Sequence, residues 1–434
     1  MRDDDAQTDQ DRRHEREALT QQVNEVLAER GVRFGGEDGH PFRADPLPRL
    51  LDKEEWRRLS DALAQRIRAL DAFVSDVYGA RTCVADGVVP ERVLQGTPYL
   101  EPDLQGQAPR GGAWVSIGGF DIVRDDDGTL LVLEDNLRTP SGIAYAMAVS
   151  ETVAAVRGLE PPTGLEEATH ALRRCLESSN PGSEGALVLL TDGPVNTAYY
   201  EHQRLAEEAG LLLVTPGDLR RTGTSLTLAD GSPVRAAYRR TEQDSINAGG
   251  ERTPIAELLL EPWRAGAVGM VNCYGTGVAD DKSVYAYVED MVRYYLDEEP
   301  RIGSVPTYDL LDPARLEEAL DRLEQLVAKP RDGAGGADVL IGPAASPEEL
   351  ESTRSALRAH PENWIVQHVV SLSTQPTVID GKVQPRHVDL RPFAFYDGEQ
   401  VTVPTGGLTR VALEEGEMVV NSSQDGGAKA TWVV

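Results

Sequence analysis

Asp121, Glu134 and Asn136 lie in one stretch, GFDIVRDDDGTLLVLEDNLRTPSG, in which DDDG at Asp125–Gly128 reads as a hairpin turn between two apolar strands. Glu134 and Asn136 are two residues apart, so an extended strand turns both to one face, and Asp121 is offered from the other arm. Two carboxylates and an amide oxygen make a hard oxygen site, suited to magnesium shared with substrate phosphates rather than to zinc. Asp135 points to the opposite face and reads as structural. An acid-rich surface hairpin would present the same residues.

A second stretch, LVAKPRDGAGGADVLIG from Leu326 to Gly342, runs strand, Lys329, Gly-rich loop, strand. Glycine-freed amides can surround phosphate oxygens, and a lysine adds positive charge. A strand follows where a P-loop needs a helix, so the stretch fits a kinase-like or grasp-like hairpin closing over a nucleotide; a plain surface hairpin is the alternative. WIVQHVV, Trp364 to Val370, is an apolar strand interrupted by Gln367 and His368. That suits a hinge whose backbone meets an adenine edge, although a satisfied core or surface histidine gives the same pattern. PRHVDLRPF sets Arg386, Asp389 and Arg391 along a strand, either as a fork for phosphate or carboxylate or as an ion pair bordering a sheet.

The elements that must position these residues follow from periodicity. Leu19 to Leu27 and Trp56 to Val77 have helical spacing, the latter stopped by Gly79. Short strands are predicted at Trp114–Ile117, Phe120–Val123 and Leu130–Leu133. From Leu165 a helix, the strand ALVLL, a helix ending at Ala209 and the strand LLLV form a βαβ pattern with a parallel sheet. LTLADGSPVRAAYRR reads as a hairpin. Helices are predicted at Ile255–Arg264, Val284–Leu296, Pro313–Leu326 and Pro347–Ala359, and strands around Ile365, Val378, Val388, Phe395 and Val403.

Composition narrows the function. With 43 basic and 72 acidic residues the net charge is -29, which repels nucleic acid and anionic lipid. Lysine occurs only at 53, 282, 329, 382 and 429, so each one invites attention. Cys83, Cys175 and Cys273 are too few and too far apart for a disulfide framework or a zinc site and read as inert thiols. No apolar run approaches a membrane span and the N-terminal segment lacks the core of a signal peptide, so a soluble cytoplasmic protein is expected.

In order along the chain, GFDIVRDDDGTLLVLEDNLRTPSG, NCYGTGVADDKSV, VPTYDL, VAKPRDGAGG, VQHVVSLSTQPT, PRHVDLRPF, GGLTRVAL and VVNSSQDGGAKATWVV resemble the circularly permuted ATP-grasp family, relatives of the synthetase half of glutathionylspermidine synthetase. In an unpermuted ATP-grasp chain the metal strands come last; here they come first. The resemblance implies an α/β ATP-grasp fold in circularly permuted order with a Rossmann-like pre-ATP-grasp unit. The expected divisions are 1–102, an N-terminal leader and helical region; 103–163, metal-binding strands; 164–270, the Rossmann-like unit; 271–370, nucleotide lysines, lid and hinge; and 371–434, C-terminal core strands.

It further implies that Asp121, Glu134 and Asn136 hold Mg2+ ions bridging the phosphates of ATP, and that Lys282 and Lys329 contact phosphate and adenine. Gly333, Gly335 and Gly336 would form the lid, Gln367 and Val369 would line the hinge, and Arg391 would sit at the transferring phosphate. Arg138, or the pair Arg239 and Arg240, could grip a carboxylate; Arg410, Asn421 and Lys429 are further candidates. The sequence departs from the pattern at Ala334, Ala337 and Asp338 in the lid, and at His368, where the hinge usually carries Glu. The implied activity is an ATP-dependent ligase joining a small-molecule or peptide carboxylate to an amine through an acyl phosphate. The competing reading is an ATP-binding scaffold whose catalysis has decayed. A hydrolase or amidase lacks a candidate nucleophile.

Overall fold

The computed structural model describes residues 2–36, 39–95, 97–331, 338–417 and 426–434. The helically spaced residues from Trp56 to Val77 form the buried face of the helix Lys53–Tyr78, capped by Asp52, whose carboxylate accepts the Glu54 and Glu55 N–H groups, and stopped at Gly79. One charged residue lies on that buried face. Arg66 Nε and Nη2 each donate to an Asp135 oxygen at 2.7 Å. Asp135 is on the back of the strand Leu130–Asn136, so this buried fork fixes the strand against the helix and leaves Glu134 and Asn136 on the opposite face.

Among the described residues the largest sheet has ten strands. Its path runs Gly303–Ser304, Leu130–Asn136, Ile117–Arg124, Lys382–Arg391, Leu408–Val411, Gly427–Val433 and Ala44–Leu51. The early Asp121 and Glu134 hairpin is therefore neighbour to the late Arg391 strand, with Leu390 opposite Ile122. At the far edge Ala44–Leu51 runs parallel to Gly427–Val433. Strands about 380 residues apart in the chain thus lie side by side in one sheet.

Two features of this sheet differ from the sequence expectation. ADPLPRLL, with Pro46 and Pro48, is the strand Ala44–Leu51, and it tolerates its prolines because it is the last strand of the path and has an open side. The two strands expected at Trp114–Ile117 and Phe120–Val123 are one strand, Ile117–Arg124, running through Gly118 and Gly119. Close packing makes these positions glycine: a Cβ at Gly118 would lie 2.7 Å from the Phe120 ring, and one at Gly119 would lie 2.9 Å from Pro140 Cβ.

The predicted βαβ pattern is a parallel sheet in the order Gly269–Val271, Val234–Arg240, Ala186–Thr191, Leu212–Val214, packed by helices Glu167–Ser179 and Tyr199–Ala209. LTLADGSPVRAAYRR is not the hairpin its turn suggests. Ser225–Leu228 pairs instead with Leu219–Thr222, while Val234–Arg240 enters the parallel sheet; a single bridge, Thr227 to Pro233, is what remains between its arms. The expected Val284–Leu296 helix is two helices, Lys282–Tyr285 and Val288–Leu296.

A third sheet carries Lys329. Thr307–Tyr308, Trp364–His368, Leu326–Pro330 and Leu340–Ile341 pair antiparallel in that order. LVAKP and VLIG thus form the two arms of a hairpin, with Ala328 opposite Leu340. This sheet has a small core of its own, including Leu320, Leu323, Leu326, Leu357 and Val366.

Candidate active site

The site lies where the Asp121 and Glu134 hairpin faces the Lys329 sheet. A cleft is lined there by Glu134, Asp280, Lys282, Lys329 and Gln367 among others. Asp121 and Glu134 are direct cross-strand partners, and Asn136 lies opposite Gly119, whose carbonyl accepts the Asn136 amide N–H at 3.1 Å. A shift of register between Asp121 and Ile122 sets Asp121 opposite Glu134 rather than Leu133, and so brings all three to one face.

Each carboxylate already has cationic partners. Asp121 receives Arg391 Nε at 2.5 Å and Nη2 at 2.8 Å, and Arg410 Nη2 at 2.7 Å. Burial raises the Asp121 pKa, but the two guanidiniums outweigh it and hold the carboxyl well below its usual range. Arg410 also grips Asp389, its Nε lying 3.0 Å from both oxygens. Asp389 goes the other way, its pKa raised by burial. Glu134 pairs with Lys282 Nζ at 2.9 Å; burial opposes the Lys282 charge, yet Glu134 keeps its pKa raised.

Lys329 differs from Lys282. Burial, reinforced by the Lys282 charge, lowers its pKa to about 8. Its Nζ donates to Gln367 Oε1 at 2.7 Å, and Gln367 Nε2 donates to Thr307 Oγ1 at 2.9 Å. The segments that carry the two lysines are joined by a buried side-chain ion pair. Asp281, the residue before Lys282, caps Ser283 N–H and receives Arg331 Nε at 2.8 and 2.9 Å, and Arg331 follows the Lys329 strand directly.

Ile365 and Gln367 face the cleft, so strand alternation turns His368 away from it. The His368 Nε2 lies 3.3 Å from the Tyr308 hydroxyl. The His-for-Glu departure is therefore directed away from the cleft. Val369, half-buried, follows the strand. Gly333, Gly335, Gly336 and Asn421 lie outside the described residues.

The remaining arginines and Lys429 divide. Arg138 borders the cleft: its backbone N–H and that of Leu137 donate to Asp280, its guanidinium meets Asp244 at 3.0 Å, and it stacks 4.3 Å from the Tyr99 ring centroid. The structure does not bring Arg239, Arg240 or Lys429 to the cleft. Arg239 donates to the carbonyls of Asn272, Asp244 and Cys273 and lies 4.0 Å over Tyr274. Arg240 is buried against Glu201 at 3.0 Å. Lys429 is buried with Asp45 at 2.7 Å and the Pro376 carbonyl at 2.9 Å. In each case a buried polar partner takes up the charge.

Residues that the sequence did not single out also line or support the cleft: Asp280, Arg331 and Thr307. Thr307 lies in VPTYDL, a stretch notable in sequence only through the family resemblance. The thiols are buried, and burial pushes Cys83 and Cys273 up to about 12.

A donor set of two carboxylates and an amide suits magnesium, which commonly takes one or two carboxylates and completes its shell with phosphates and water. The described residues contain no group of three His, Cys, Asp or Glu side chains that could hold a metal by themselves.

Residues 48–412 match the family described as circularly permuted ATP-grasp type 2, and the chain belongs to that family. Over 423 residues it is 44% identical to "Putative glutamate--cysteine ligase 2-3" of Frankia alni, covering 93% of this chain and 49% of the relative. The chain thus spans about half the length of the Frankia relatives it matches. An uncharacterized protein of Synechocystis sp. is 41% identical over 414 residues, covering 91% of this chain and 84% of its own. A glutathione synthetase-like effector from Globodera pallida, in apo form, shares the fold at a TM-score of 0.60 and 12% identity, over 96% of this chain and 98% of that one. No described helix is long and apolar enough to cross a membrane.

Proposed function

We propose that the chain is an ATP-dependent carboxylate–amine ligase. A substrate carboxylate oxygen attacks the γ-phosphorus of ATP, giving an acyl phosphate and ADP. An amine then attacks the acyl carbon, phosphate leaves, and an amide forms. The observation that carries this reading is the meeting of the Glu134–Lys282 pair and the Lys329–Gln367 pair in one cleft, beside Asp121 with Arg391 and Arg410. The chemistry is electrostatic and positional, so no protein nucleophile is needed. That agrees with thiols whose pKa values burial raises.

Lys282 and Lys329 would hold phosphate oxygens, and Arg391 and Arg410 would face the transferring group. Asp121, Glu134 and Asn136 would hold Mg2+, which when bound neutralises phosphate charge. Arg138, at the cleft border, would orient a substrate carboxylate. An amino-acid carboxylate and an amino-acid amine are the first pair to test, because two relatives carry the glutamate–cysteine ligase name. A cytoplasmic setting supplies ATP, and the net charge of -29 argues against a nucleic-acid partner.

One observation favours the scaffold reading: both candidate metal carboxylates are already neutralised by the protein's own cations. ADP release measured against pooled carboxylates and amines, with Glu134→Ala as the blank, separates the two. Amine-dependent ADP release with an amide found by mass spectrometry supports the ligase. Magnesium-dependent ATP binding without turnover supports the scaffold.

A further inference from the structure

Ser141 stands in the loop between the strand Leu130–Asn136 and the helix Ile143–Val156. Its carbonyl accepts Arg391 Nη1 at 3.2 Å, and its hydroxyl accepts Arg240 Nη2 at 2.7 Å. Arg240 Nη1 donates to Glu201 Oε1 at 3.0 Å and to the Tyr238 hydroxyl at 3.1 Å. The other Glu201 oxygen accepts the Gly142 and Ala144 N–H groups at 2.8 and 3.0 Å. One ion pair inside the Rossmann-like unit thus grips this loop by a side chain and by its backbone.

The loop is also packed from the other side. Gly142 has a φ of +133°, and a Cβ there would lie 3.1 Å from the Phe393 ring and 3.2 Å from Leu408. Glu201 already fills the N-terminus of the helix Ile143–Val156, so that end is not an anion site. A buried ion pair is often no better for stability than apolar residues of the same shape. What this pair adds is direction, since it fixes the hydroxyl and the backbone on either side of the Ser141 carbonyl.

Taking Arg391 to face the transferring phosphate, as the proposed function does, we propose that Ser141 and the Arg240–Glu201 pair are positioning residues that set the Arg391 guanidinium. The other two Arg391 contacts go to Asp121, a carboxylate with which a bound phosphate would compete for the guanidinium. The Ser141 carbonyl is neutral and stays in place, so it holds the guanidinium while Asp121 changes partners.

The test compares ATP and ADP binding to the full chain by calorimetry with magnesium, in wild type, Ser141→Ala, Arg391→Lys and the double variant. Ser141→Ala keeps the carbonyl but releases Arg240. ATP affinity should fall by about five-fold, with ADP affinity and the melting midpoint close to wild type. In the Arg391→Lys background Ser141→Ala should add no further loss. Arg240→Lys, which keeps a charge against Glu201 but loses the fork, should lower the same ATP-to-ADP preference. An unchanged preference in Ser141→Ala, or losses that add in the double variant, overturns the proposal. The readout needs no amide product, so it is separable from a failure of the ligase reading, which would appear as no amine-dependent ADP release by wild type.

Discussion

Lys329→Met should stabilise the protein at neutral pH, although Lys329 is proposed to bind nucleotide. Burial lowers the Lys329 pKa from its ordinary 10.5 to about 8; a drop of about 2.5 pH units corresponds to about 3.4 kcal/mol against the charged form. Met removes the charge but leaves Gln367 Oε1 without its lysine donor, which returns about 1–2 kcal/mol. Lys329 borders cleft water, which trims the gain further, so about 1–2 kcal/mol is expected at pH 7. The sign of the pH dependence follows from linkage. Below pH 8 the lysine is charged in both folded and unfolded chains and the full cost is present. Between about 8 and 10.5 the unfolded chain binds more protons, so wild-type stability rises with pH. The advantage of Lys329→Met should therefore shrink across that window. Urea unfolding of both proteins from pH 7 to pH 11 measures it, and a variant that is less stable than wild type at pH 7, or an advantage independent of pH, would refute the reasoning.

Nucleotide phosphates would restore the Lys329 charge, so ATP binding above pH 8 should take up protons; calorimetry in two buffers of different ionisation heat reads this, and no buffer dependence at pH 8.5 would contradict it. Glu134→Gln removes a proposed metal ligand and the Lys282 counter-ion together, and ADP release should fall by about 100-fold or more in a steady-state assay. Arg66→Met leaves Asp135 buried without its partner and should cost about 3–5 kcal/mol in denaturant unfolding, most of it recovered by adding Asp135→Leu.

The local part of the site was legible. A period of two put Glu134 and Asn136 on one face and Asp135 on the other, and the Lys329 hairpin followed from strand, glycine and strand. Long-range pairings were not. Asp121 meets Arg391 and Arg410 across 270 and 289 residues, and no local pattern reveals which strand lies beside which. Arg239 and Arg240 were candidates for a carboxylate grip only through the family resemblance. Their strand is buried, and its charges are satisfied by Glu201 and by backbone carbonyls. Ala44–Leu51 was hidden by its prolines, which only a strand with an open side accommodates, and Gly118–Gly119 imitated a break because the reason for those glycines is a ring and a proline packed against the strand.

In the proposed function this cleft passes the γ-phosphoryl group of ATP to a carboxylate. The direct measurement supplies an ¹⁸O-labelled carboxylate substrate, ATP and an amine, and weighs the phosphate released. Transfer through an acyl phosphate places one ¹⁸O atom in each phosphate, whereas amide formation with unlabelled phosphate would contradict the account.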